Sequence, residues 1–258
     1  MIRIDRRGWL MSLAAIGLGG CARFAVRPPT PAASTDVAGM WEPRPDEKYY
    51  LIVFGAQSTP KVARKTHTWG TVVRVRPKGE GQAAEIDAHT ISWLPATLKI
   101  RVYRFDVEAG VDLGLHETIR FVLKNEERVS EWGPYECRPR LYHRSLVQKD
   151  FLDSGRIGYQ AIDTIGEAAR KGNGCDCIHA LTDQDPLFNR SRYPLNRFGD
   201  SASEFIVREM WKRDLLIHPE QTHDWLQEVL GLNAYPIVRR CYQGRVDPES
   251  AKEAREAK

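Results

Sequence analysis

Residues His67 to Val75 read HTWGTVVRV, and their alternation decides the fold. In an extended chain, His67, Trp69, Thr71, Val73 and Val75 share one face, and Thr68, Gly70, Val72 and Arg74 share the other. β-Branched and aromatic residues in that pattern predict a strand. Upstream, Tyr49 to Phe54 (YYLIVF) predicts a buried strand ending at Gly55. Downstream, Asp87 to Leu94 alternates again, with His89, Ile91 and Trp93 on one face, and Thr97 to Phe105 continues as a third strand of a meander. A three-residue loop at Pro77-Lys78-Gly79, with Gly79 left-handed, would face Arg76 with Glu80 and His67 with His89. A longer loop through Gly81 would shift that register.

Helical signals surround these strands. Leu115, Ile119, Val122 and Leu123 form an apolar stripe within Leu113 to Arg128. After the Pro-rich stretch at Gly133 to Pro139, Ile157 to Thr164 reads as a further strand. Ser201 and Glu204 have capping-box spacing for a helix starting near Asp200, and a second helix runs from Pro219 to Gly231. Ile237 to Tyr242 closes the pattern as a strand. Strands in runs with helices between and after them predict an α+β class, an antiparallel sheet with packed helices.

The N-terminus carries an address. Arg6 and Arg7 lead into an apolar stretch from Leu10 to Gly20, too short to span a bilayer, which stops at Leu18-Gly19-Gly20-Cys21. This resembles a bacterial lipoprotein signal, which implies cleavage after residue 20 and a lipid on Cys21. Asp5 to Met11 also resembles a twin-arginine export signal. Four segments are therefore expected: a signal peptide at 1–20, a lipid-anchored Pro-, Ala-, Ser- and Thr-rich tether at 21–47, a folded domain at 48–245, and a charged tail at 246–258. The expected location is extracytoplasmic, with a bacterial membrane as partner through the anchor.

Composition narrows the function classes. The formal net charge of +4 falls to about +2 once Arg3, Arg6, Arg7 and Asp5 leave with the signal, and no basic stripe interleaves with aromatics, so nucleic acid is not an expected partner. Cys137, Cys175, Cys177 and Cys241 would suit two disulfides in an oxidising compartment, with three pairings open.

Cys177, His67 and His89 can be assembled into a cysteine-nucleophile site, since a thiol needs a base and the base an orienting group. Ile178, Ala180 and Leu181 make Cys177 a helix start, whose dipole would favour a thiolate; Cys175 is its competitor. The order of these residues resembles the circularly permuted papain-like superfamily, the NlpC-type relatives that include lecithin retinol acyltransferase-like proteins. There a histidine begins a strand, a polar residue follows on the adjoining strand, and the cysteine opens a later helix. Here the matching segments are His67 in THTWGTVVRV, His89 in DAHTISWL and Cys177 in GCDCIHAL. The resemblance implies a permuted papain-like domain in which His67 deprotonates Cys177 and His89 orients His67. It implies a hydrolase or acyltransferase acting on an amide or ester, with a cell-wall peptide or lipid as substrate. Asp176 stands where that family often has Asn, and its carboxylate would raise the thiol pKa.

Other readings accompany this one. His67 or His89 alone also fits a hydrogen-bonded core residue, and Cys177 a buried small hydrophobe or half a disulfide. Cys175, Cys177 and His179 offer soft ligands, but C-x-C spacing without a fourth ligand argues against zinc, so neither metal nor cofactor is expected. Gln57 can donate to an oxyanion or cap a turn. His116, His143, His218 and His223 read as surface, and Asp183 and Asp185 as a turn before Pro186. The alternative function is a non-catalytic envelope lipoprotein that binds a ligand or partner in the same cleft.

Overall fold

A computed structural model describes residues 44–184, 197–241 and 256. Its centre is a five-stranded sheet, formed by β1 (Lys48–Gln57), β2 (Thr66–Arg76), β3 (Glu85–Ile91), β6 (Arg128–Glu136) and β9 (Ile237–Arg240) in the order β3-β2-β1-β6-β9. All neighbours are antiparallel except β6 and β9. Two short ribbons accompany it, β4 (Trp93–Pro95) with β5 (Gly110–Asp112), and β7 (Gly158–Tyr159) with β8 (Gly174–Cys175). The α+β class read from the sequence is the class observed.

Helices cover both faces, because β1 and β2 carry apolar residues on both. On one face α1 (Leu115–Lys124) packs Ile119 and Val122 against Ile52, Phe54 and Trp69. The other face buries Leu51, Val53, Val72 and Trp132 under α2 (Pro139–Asp153), α4 (Cys177–Thr182) and α5 (Asp200–Lys212). The small α3 (Gly166–Lys171) and α6 (Trp225–Val229) also belong to the fold, with short 3-10 turns at Ala63–Lys65 and Leu232–Ala234. No helix among those residues is long and apolar enough to cross a membrane.

Several expectations are corrected. The β2–β3 loop is 77–84, with Gly79 and Gly81 both left-handed at φ 105° and 77°. Arg76 therefore faces Glu85, and His89 faces Val72 rather than His67. That displacement is odd in residue count, so His67 and His89 point to opposite faces. Thr97 to Phe105 forms no strand: the chain turns at Pro95-Leu98 and runs irregularly to β5, with no strand alongside to accept its hydrogen bonds. The Pro-rich stretch falls within ordered elements: Gly133-Pro134 is cis inside β6, and Pro139 opens α2 at its first turn, where a missing N–H costs nothing. Ile157 to Thr164 yields only β7. The predicted 219–231 helix is reduced to α6. The N-cap of α5 is Gly199, not a capping box: the Gln57 side-chain carbonyl accepts the Asp200 N–H at 3.3 Å. No disulfide joins Cys137, Cys175, Cys177 or Cys241. Glu47, the last residue of the expected tether, is buried and pairs with Arg76 at 2.7 Å. Cys21, residues 22–43, Asp185, Tyr242 and the tail apart from Glu256 lie outside the described residues.

Candidate functional site

Cys177 is the first residue of α4 and lines a cavity of about 240 Å³ with Thr66, Ile100, Val102, Tyr159, Ile178 and His179. The helix lies on the Val72 side of the sheet, since Leu181 would touch a Cβ placed on Gly70. On β2, the residue beside the Cys177 thiol is Thr68, whose backbone hydrogen-bonds the sulfur. The Thr68 hydroxyl lies 3.2 Å from Ser203 Oγ of α5, on this same face.

His67 belongs to the other face. Its ring stacks on Trp69 with centroids 5.3 Å apart, and Nε2 lies 2.9 Å from Ser92 Oγ, which Thr118 of α1 also contacts at 2.8 Å. Nδ1 is buried with no hydrogen-bond partner among the described residues. Burial pulls the pKa down to about 3, so His67 is neutral at physiological pH. His89 lies on the Cys177 side but is taken up by α2: Nε2 is 2.6 Å from Ser145 Oγ, and the ring meets Tyr142 edge-on. Burial, then Lys149 and His143, bring its pKa to about 4. The three residues expected to act together are thus distributed over two faces, and Gln57 serves the start of α5.

The charged groups that act on Cys177 are acidic. Asp176 is the N-cap of α4, its Oδ1 accepting the His179 N–H at 2.7 Å. Asp163 accepts the Asp176 N–H through Oδ2 at 3.1 Å and pairs through Oδ1 with His179 Nδ1 at 2.7 Å. Desolvation disfavours the imidazolium, but the carboxylates of Asp163 and Asp176 outweigh it and raise the His179 pKa to about 10. Burial is the largest influence on the Cys177 thiol and Asp176 the next, and together they push its pKa up to about 12 against the backbone hydrogen bonds that favour thiolate. The six-residue α4 offers little dipole to offset them.

Asp163, Asp176 and His179 present ligand atoms within 4.8 Å of one another, the geometry of a small metal cluster. The imidazole nitrogen concerned already lies between the two carboxylates, and a protonated imidazole is no ligand. No cysteine joins this group, so the Cys175, Cys177 and His179 arrangement is not assembled among the described residues.

The sequence reading missed Asp163, Thr68 and Tyr159. Asp163, a lone acid in the apolar run YQAIDTIG, and Asp176, directly before CIHAL, carried the available signals: a buried acid demands a partner, and an Asp before an apolar run caps a helix. The chain matches no family model, no curated protein and no solved structure.

Proposed function

We propose that this protein is an exported lipoprotein held to a bacterial membrane through Cys21, whose domain binds a small, mainly apolar ligand in the Cys177 cavity without catalysing its turnover. The observation that carries this reading is the parity of β2: Thr66 lines the Cys177 cavity and the Thr68 backbone hydrogen-bonds the sulfur, whereas the His67 ring, on the alternate face, is held by Ser92. A thiol with a pKa near 12 beside Asp176, with the neutral His67 imidazole engaged by Ser92, is a poor nucleophile at neutral pH. The cavity walls are apolar at Ile100, Val102, Tyr159, Ala161 and Ile178, and polar at Asp176 and His179 of the helix start and at Thr66, Thr164 and Arg197. The fold is read as permuted papain-like, a relation supported by the order of two strands bearing His67 and His89 and a later helix that opens with Cys177 and packs on the sheet.

Iodoacetamide labelling tests this. In the native protein at neutral pH, Cys177 should react more slowly than exposed Cys241, and His67→Ala should leave the Cys177 rate unchanged. A medium-chain fatty acid, the probe suited to an apolar cavity, should slow Cys177 further and leave Cys241 alone. Fast labelling that depends on His67 would instead establish the thiol hydrolase or acyltransferase reading, with a cell-wall peptide or lipid ester as substrate.

A further inference from the structure

Between β4 and β5 the chain exposes apolar and cationic side chains side by side. Tyr103 is 88% exposed and Phe105 52%, in a segment that also presents Lys99 and Arg101. These four line one broad, shallow cleft of about 1290 Å³, together with Val62 and Arg64 from the β1–β2 connection. Within the segment Arg104 is neutralised by Asp106 at 2.6 Å and Glu108 at 3.5 Å. Lys99, Arg101 and Arg64 have no carboxylate within ion-pair distance among the described residues.

The presentation is fixed rather than loose. The Phe105 carbonyl accepts the Glu167 N–H at 2.8 Å, and the Glu167 carboxylate accepts the Val107 N–H at 3.0 Å, so the start of α3 holds the end of the segment. Leaving two aromatic rings in water is unfavourable, and a monomeric surface seldom gathers them in one patch without a partner. Rings that sit at a headgroup boundary, flanked by exposed cations that need break no ion pair to meet lipid phosphates, are the chemistry of an interfacial contact.

We infer that the 98–105 segment docks the domain onto an anionic phospholipid surface, with Tyr103 and Phe105 inserted at headgroup depth and Lys99, Arg101 and Arg64 on lipid phosphates. The contact is separate from the lipid on Cys21 and stands whatever the Cys177 cavity holds. It also sets the orientation of the domain. The cleft and the Cys177 cavity share Ala63, Ile100 and Val102, so docking turns the cavity towards the bilayer and lets an apolar ligand pass between them.

The test uses the full chain carrying Cys21→Ser, so that no acyl chain contributes, with phosphatidylcholine vesicles with and without phosphatidylglycerol. Sedimentation reads binding, and amide hydrogen exchange reads where it occurs. Exchange across 98–105 should slow on the anionic vesicles and not on the neutral ones. The double variant Lys99→Glu/Arg101→Glu should lower the partition coefficient by about tenfold or more, and Tyr103→Ser/Phe105→Ser should lower it at low salt too. These side chains are exposed, and an unchanged melting temperature verifies that the fold persists. The inference is overturned if protection maps only to residues 1–21, if both variants partition like the parent, or if soluble dextran sulfate protects 98–105 as well as the vesicles do. That last result would mark a general polyanion site rather than a membrane contact.

Discussion

His179 Nδ1 lies 2.7 Å from Asp163 Oδ1, both side chains buried, and this pair holds α4 to the segment after β7. Its stability contribution has a defined pH window. The folded pKa of His179 is about 10 against an ordinary 6.5, so the contribution is complete below pH 6.5 and is lost as pH rises through 10. Urea midpoints should fall between pH 7 and 10.5 more steeply in the parent than in His179→Gln, which lacks that titration. Asp163→Ala should cost roughly 3–5 kcal/mol at pH 7, because it leaves a buried imidazolium with one carboxylate partner fewer. Parallel pH profiles for parent and His179→Gln would refute the assignment.

Gly110 on β5 lies against the Trp93 ring of β4, and a Cβ added there would fall inside that ring. Trp93 is almost fully buried and has no room to withdraw. Gly110→Ala should therefore destabilise the fold by about 3 kcal/mol or more, whereas Gly155→Ala, at an open left-handed site, should cost about 1 kcal/mol. Thermal or chemical denaturation of the two variants decides. Equal losses would mean that the β4–β5 ribbon yields at Trp93.

The contrast between these sites shows how much of the molecule was written locally. The alternation of β2, the run of β1 and the apolar stripe of α1 each state their own environment, and each element forms there, although α1 stops at Lys124 and Arg128 already belongs to β6. Register is different, because it is set by the loop. Gly79 and Gly81 both adopt positive φ, and an odd displacement in pairing carries His89 to the face opposite His67. Periodicity alone cannot fix that parity. Likewise Thr97 to Phe105 reads like a strand, but a strand requires a neighbour, and the segment lies outside the sheet. Asp163 pairs with a histidine sixteen positions away, a contact visible only after β7 and β8 align.

The proposed membrane attachment would have two separable contributions. Wild-type protein should remain with membranes through a high-salt wash and show a mass increase from acylation, because a covalent lipid anchor does not depend on ionic strength. Cys21→Ser should lose the added mass and be released by high salt, since exposed cationic contacts are screened. Retention of Cys21→Ser through that wash, with an unmodified parent mass, would show that Cys21 is not the anchor.

Asp176 has two roles that a single substitution can divide. As N-cap it accepts the His179 N–H, a role Asn fulfils about equally well; as a carboxylate it raises the Cys177 pKa and supports the His179 charge. Asp176→Asn should therefore keep α4 while removing the like charge beside the thiol. Cys177 labelling at pH 8 should become at least about threefold faster, because more thiolate is present, and Cys241 should label as before. The double variant His67→Ala/Asp176→Asn should label like Asp176→Asn alone, since His67 works on the opposite face of the sheet. A rate that stays low in Asp176→Asn would mean that burial alone sets the thiol pKa, and a rate that falls again when His67 is removed would mean that the histidine reaches the sulfur.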